Sequence, residues 1–255
     1  MKSATVQQQE RNEHWWKSWF NDLYLDVYSH RDDEQAADEV KSTIALLPLE
    51  PEHVILDMGC GNGRHCRGFN QQGFCNVIGV DYSFPLLKNA LSYQQSSLFV
   101  RADMRFLPFP DQFFDVSVSY FTSFGYFKTN VENLQVLHEM SRVLKTGGWF
   151  LMDYLNPTYI RKNFVPSSRR EVDSFIIEEK RHFTDSGDRI EKEIIIHNWG
   201  DHEHHYHESV RLYAYDDMVD LLQSADLAVS GVLGSFSGQP FDDSAPRMVL
   251  YGQKI

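Results

Sequence analysis

Hydrophobic positions along the chain keep three rhythms. Between residues 10 and 47 they recur at helical steps: Trp15, Trp16, Trp19, Phe20, Leu23 and Tyr24 form one apolar stripe at spacings of three and four. A stripe of this kind predicts a helix that docks its aromatic face on a core. A second helix is expected from Asp32 to Leu47, ended by Pro48 and Pro51. From residue 54 the rhythm changes to short apolar runs, each followed by a helical stretch. Val54–Met58 and Ser97–Met104 read as buried strands, Gly73–Asp81 as a turn and a strand, Leu107–Ser119 as the approach to a fourth strand and Lys145–Met152 as a turn into a fifth. Helices are expected over Asn62–Gln72, Pro85–Ser92 and Asn130–Leu144, the last burying Val131, Leu134, Leu137, Val143 and Leu144. Such alternation predicts a parallel sheet with helices on both faces.

After Asp153-Tyr154-Leu155-Asn156-Pro157 the alternation stops and a period of two takes over across residues 170–212. Phe175–Phe183, a turn at Asp185-Ser186-Gly187-Asp188, Arg189–Trp199 and His204–Tyr213 predict an antiparallel meander. Asp216–Ala225 returns to helix, and Leu227–Leu233 and Arg247–Gln253 supply a sixth and a seventh strand of the main sheet. The fold class expected is α/β: a doubly wound, seven-stranded, mostly parallel sheet with an N-terminal helical segment and an antiparallel β-insertion.

Polar residues break the apolar runs at telling places. Val54-Ile55-Leu56-Asp57-Met58-Gly59-Cys60-Gly61-Asn62-Gly63 is a strand that ends in three alternating glycines before a helix. Glycines there let the chain turn sharply and leave a ligand room against bare peptide, with free helix N–H groups aimed at it. The spacing is G-x-G-x-G, with Arg64 after the last glycine, and not the G-x-G-x-x-G of dinucleotide binders. The second strand ends in Asp81, about 22 residues past Gly59, close to the offset at which a carboxylate reaches ribose hydroxyls. The third ends in Asp103. A strand-end Asp also serves as a helix N-cap or turn former. Asp57 has a local alternative as well, a hydrogen bond to the amides of its own loop.

Together these elements resemble class I S-adenosylmethionine-dependent methyltransferases, in the bacterial small-molecule group, strongly over residues 54–155. The glycine loop is similar to motif I of that family. Leu107-Pro108-Phe109 with Phe114-Asp115-Val116 is similar to its "LPF…FDVV" approach to strand four. Lys145-Thr146-Gly147-Gly148 resembles its "LKPGG" turn, with Thr146 in place of proline. The resemblance implies an S-adenosyl-L-methionine site made by Asp57, Gly59, Gly61, Gly63, Asp81, Tyr82, Asp103, Met104 and Ser119. Asp103 would face the adenine amino group, Met104 would pack near the ring, and Asp57 would face the methionine end. Tyr24–Arg31 resembles the family's "YDxxY" lid segment, so Tyr28 would cover the methionine end of the cofactor and Arg31 would grip its carboxylate. Residues 1–47 then read as a lid, 48–160 with 213–255 as the cofactor-binding core, and 161–212 as an insertion that covers the substrate or forms a homodimer contact. Tyr120-Phe121-Thr122-Ser123-Phe124-Gly125-Tyr126-Phe127 stands where DNA amino-methyltransferases carry N/D-P-P-Y/F, which argues against that class.

Composition narrows the acceptor. The chain has 255 residues, 42% hydrophobic and 24% charged, as in ordinary globular proteins. Its net charge of −12 disfavours a nucleic-acid substrate, which needs a basic face. No apolar run is long enough for a transmembrane helix, and the first ten residues lack the apolar stretch of a signal peptide. Cys60, Cys66 and Cys75 make no C-x-x-C pair and suit a reducing, cytoplasmic setting. His202, His204, His205 and His207 suggest metal, but strand alternation splits them between two faces, neither with a clear third ligand, and no metal is expected. His205 and His207 are also candidates for a base. The expected function is methyl transfer from S-adenosyl-L-methionine to an O or N nucleophile of a small molecule, with no catalytic residue singled out. A protein or tRNA methyltransferase and a non-catalytic S-adenosylmethionine-binding module are the alternatives.

Overall fold

A computed structural model describes residues 14–28, 32–93, 96–172, 175–198 and 202–255. Seven strands form one sheet in the order β10-β11-β5-β4-β1-β2-β3: β1 (Ile55–Met58), β2 (Val77–Asp81), β3 (Leu98–Arg101), β4 (Phe114–Ser119), β5 (Leu144–Leu155), β10 (Leu227–Leu233) and β11 (Arg247–Lys254). All neighbours run parallel except β11, which is antiparallel to both β5 and β10. The chain turns back on itself at β1, between β2 on one side and β4 on the other. Ligands of open α/β sheets gather at such a reversal, beyond the carboxyl ends of the strands.

Both sheet faces are covered. Leu56, Met58, Val80, Phe150 and Met152 point to one side, where helix α6 (Asn130–Val143) packs Val136, Leu137 and Met140. Ile55, Val77, Val116, Val118 and Leu151 point to the other, against Val40 of α3 (Asp33–Leu46) and Cys66 and Phe69 of α4 (Arg64–Gln71). Helix α6 starts on a reciprocal cap between Thr129 and Glu132. Its buried stripe is Asn133, Val136, Leu137, Met140 and Val143, whereas Val131 is 77% exposed, contrary to the apolar pattern. Asn133 takes the inner position because its side-chain amide bonds both the N–H and the carbonyl of Phe127.

Three further differences from the sequence pattern have physical causes. The aromatic stripe does not form one helix. It divides into α1 (Trp16–Trp19) and α2 (Asp22–Val27), because the Asn21 side chain caps the start of α2. The expected turn at Lys145–Gly148 is absorbed into a continuous β5, with Gly147 at φ 76° and a register shift opposite Phe114 and Val116. The insertion gains a strand that its polar sequence does not announce. A four-stranded antiparallel sheet runs β6 (Ser167–Val172), β7 (Phe175–Phe183), β8 (Arg189–Asn198) and β9 (His202–Arg211). Strand β6 lies at the sheet edge and pairs with β7. Helices α5 (Phe84–Ala90), α7 (Pro157–Lys162) and α8 (Tyr215–Ser224) complete the described elements. No described helix is long and apolar enough to cross a membrane.

Candidate functional site

The end of β1 and the start of α4 build a loop in which Gly59, Gly61 and Gly63 all have φ between 55° and 78°. At Gly59 glycine is needed for space as well as backbone, since a Cβ would lie 2.6 Å from Ser123 Cβ. At Gly61 a Cβ would meet nothing nearer than Leu86 Cδ1 at 3.8 Å, so it would project into open volume. Gly63 faces the protein instead, its missing Cβ leaving room for the Phe99 ring at 2.7 Å. The carboxylate of Asp81 ties the loop down, accepting the Gly61 N–H and the Ser83 N–H at 2.8 Å each. A carboxylate has about four acceptor positions, so these bonds do not exhaust it. Burial pushes the Asp81 carboxyl up, against those backbone donors.

Over this loop lies a cavity of about 440 Å³. Gly59, Cys60, Gly61, Asp81, Tyr82, Ala102, Asp103 and Met104 line its floor, and Trp16, Phe20, Tyr24 and Tyr28 come from the N-terminal helices. Tyr120, Phe121, Ser123, Tyr126 and Phe127 close the third side. Asp103 is held rigidly. Arg105 donates to both its oxygens at 2.7–3.1 Å and also reaches Glu132 at 2.7 Å. Burial alone would raise the Asp103 carboxyl, but the Arg105 guanidinium outweighs it and keeps it below the usual range.

Of the residues expected at a cofactor, Tyr28, Gly59, Gly61, Asp81, Tyr82, Asp103 and Met104 thus share one cavity. Arg31 lies outside the described residues. Asp57, Gly63 and Ser119 do not line the cavity. Ser119 is buried within β4, and Ser123 stands at the wall in its place. Asp57 is buried behind the loop, where it accepts the Cys66 thiol at 3.2 Å, while the loop amide of Gly61 goes to Asp81. Burial raises the Asp57 carboxyl to about 7.

The far end of the cavity holds a group that the sequence pattern does not single out. Arg64, His65 and Arg67 of α4 reach it, with Asp33 paired to Arg67. The His65 ring stacks on Tyr120 at 3.9 Å and shares a 2.6 Å hydrogen bond with Glu39. Burial lowers His65 to about 4 despite Glu39, so it is neutral near pH 7. Next to it, Phe121 and Thr122 both adopt left-handed backbone, φ 56° and 58°. The buried carboxylate of Asp153 accepts the Phe121 N–H at 2.8 Å and Arg247 Nε at 2.7 Å, and Arg247 Nη2 donates to Thr122 Oγ1 at 2.8 Å. Two paired strands far apart in sequence, β5 and β11, therefore hold a strained turn against the cavity, a placement common at functional sites.

Among the described residues, none that lines the cavity comes from the four-stranded sheet. His205 pairs with exposed Glu203 at 3.3 Å and His207 faces Glu191 at 4.0 Å, both away from the cavity. Among the described residues no group of three His, Cys, Asp or Glu could hold a metal ion.

Residues 56–152 match a family profile described as a methyltransferase domain. Over 164 residues the chain is 29% identical to a tRNA (carboxymethyluridine(34)-5-O)-methyltransferase of Arabidopsis thaliana, covering 63% of this chain and 39% of that protein. Matches to the first curated relatives span 39 to 62% of their lengths. The CcbJ methyltransferase from Streptomyces caelestis superposes with a TM-score of 0.79 at 18% identity, over 93% of this chain and 98% of that one. The sugar N-methyltransferase KedS8 from Streptoalloteichus sp. superposes with a TM-score of 0.70 at 20% identity, over 92% and 93%. These likenesses extend the shared fold beyond the matched segment to the insertion and the last strands.

Proposed function

We propose that the chain, whose residues 56–152 match a methyltransferase domain, binds S-adenosyl-L-methionine in the class I manner and transfers its methyl group to an O or N nucleophile of a small molecule. The observation that carries this reading is the aromatic cavity over the glycine loop. At about 440 Å³ it falls within the ~300–1,000 Å³ range of small-ligand sites. A nucleoside cofactor would fill much of it, and what remains suits a small acceptor.

In this reading Asp81 takes the ribose hydroxyls with its remaining lone pairs, and Asp103, fixed by Arg105, takes the adenine amino group with Met104 against the ring. Gly59 and Gly61 let the ligand approach bare backbone, and Tyr82 and Tyr28 close over it. Asp57 and Gly63 support the loop from behind, and Ser119 belongs to the strand beneath. The sulfonium of the bound cofactor supplies an already activated methyl group. The chain's part is to line up the nucleophile with that methyl and to keep water out, work that the aromatic walls can do.

A tRNA acceptor is favoured by relatives described as tRNA methyltransferases, the Arabidopsis enzyme among them. The net charge of −12 weighs against it. Incubation with methyl-labelled S-adenosylmethionine and fractionated cell extract separates the readings. Label in low-mass products is the expected result. Label in tRNA or protein would overturn the small-molecule assignment. Tight binding of S-adenosylhomocysteine with no label in any fraction would leave a binding-only module.

A further inference from the structure

The insertion meets the cavity wall in two places: Arg189 of β8 donates to the carbonyls of Tyr126 and Phe127, and a charged cluster holds one side chain of the N-terminal helices. Tyr28 caps α2, its ring lines the cavity, and its hydroxyl points to the four-stranded sheet. There it accepts from Lys192 Nζ of β8 at 2.7 Å and donates to Glu208 Oε1 of β9 at 3.3 Å. Lys192 also pairs with Glu208 at 2.6 Å and lies 3.6 Å from Glu179 of β7. The three charged side chains are 16%, 18% and 7% exposed, so this is an enclosed ion cluster and not a surface pair. Arg181 and Ser168 hold Glu179 from behind, the Trp19 indole donates to Glu208, and the Arg170 guanidinium lies 5.5 Å from the Tyr28 ring centre.

An enclosed ammonium with two carboxylates costs desolvation, which pure packing would avoid. Burial by itself would lower the Lys192 ammonium, but Glu208, Tyr28 and Glu179 hold it above its ordinary range, so it stays charged. A fixed charge here specifies where the Tyr28 hydroxyl must sit, and through it where the ring meets the cavity. The register puts Lys192 opposite both Arg181 and Glu208, and Glu179 two residues from Arg181 along β7, on the same face.

We infer that Lys192 and Glu208 of the β-insertion are positioning residues for Tyr28, setting the lid over the methionine portion of the cofactor. This rests on the cofactor reading above. The insertion then acts on the cofactor through the lid, without contributing a wall to the cavity.

The test is calorimetric binding of S-adenosylhomocysteine and of adenosine to the full chain and its variants. Tyr28→Phe removes only the latched hydroxyl, and Lys192→Met with Glu208→Gln removes the charges as a pair. Each should weaken S-adenosylhomocysteine about tenfold and leave adenosine within about twofold. Combining them should cost no more than either alone, because both break one linkage. Lys192→Arg should restore most of the affinity. Unchanged S-adenosylhomocysteine affinity in a folded Tyr28→Phe variant would overturn the positioning role. Equal loss for both ligands would show a merely structural cluster, and would overturn it too. A wild-type chain that binds neither ligand would remove the cofactor reading, and the positioning role with it.

Discussion

At the scale of single residues, the site depends on side chains that serve the protein and a ligand at once. Asp81 already spends one lone pair of each oxygen on the amides of Gly61 and Ser83. Its substitution by alanine should therefore both loosen the loop and remove the ribose partner. S-adenosylhomocysteine affinity should fall by roughly 1.5–3 kcal/mol, as for hydrogen bonds to a charged group. Unchanged affinity by calorimetry, with the fold intact, would take Asp81 out of the site. Gly61 makes a sharper test. Its absent Cβ borders only open cavity and Leu86, so Gly61→Val should keep the fold, at the expense of backbone strain at φ 55°. It should abolish ligand binding by filling the cradle. A folded variant that binds normally would mean that the ligand lies elsewhere.

Among elements, the turn after β4 is the one most dependent on others. Phe121 and Thr122 occupy left-handed backbone at roughly 1–3 kcal/mol each, offset by Asp153 and Arg247. Asp153→Ala leaves Arg247 without its carboxylate and the Phe121 amide without its acceptor. Stability should drop by roughly 1.5–3 kcal/mol in urea titration, and hydrogen exchange should quicken across residues 121–126. A variant as stable as the parent would show that other contacts hold the turn. The apolar pattern of Tyr120–Phe127 marks an aromatic loop, but not its strain. That strain comes from a carboxylate on β5 and a guanidinium on β11, brought together by the antiparallel pairing of those strands.

For the molecule as a whole, burying ionisable groups behind the glycine loop links stability to pH. Burial pushes the Asp57 carboxyl up to about 7 in the folded chain, against an ordinary value of 3.8. Between those values the folded state keeps a proton that the unfolded state has released, so this group lowers stability as pH rises toward 7. His65 works in the opposite sense. It protonates only near 4 when folded, against 6.5 ordinarily, so stability falls as pH drops from 6.5 toward 4. The two slopes oppose each other across the shared window. Asp57→Asn should therefore gain stability over wild type most above pH 7, with the gain fading by about pH 4. A difference that is flat with pH would show that Asp57 is not buried as an acid.

Sequence periodicity alone determined the alternation of strand and helix, the mostly parallel sheet and the antiparallel insertion. These follow from local rules: apolar runs must be buried, glycines turn, and polar alternation marks a half-exposed sheet. The loop from Gly59 to Gly63 and the strand-end acids Asp81 and Asp103 were legible for the same reason, since their spacing is fixed along one short stretch of chain. Tertiary structure decided what depends on neighbours far away in sequence. It buried Asn133 in place of Val131, drew polar β6 into a sheet, and turned Asp57 toward Cys66 instead of the loop amides. It also put Lys192 and Glu208 on Tyr28, 164 and 180 residues away along the chain. Charged residues on strands read only as solvated faces in a sequence. Whether such a charge is enclosed, and by which partner, is set by which surfaces the fold brings together.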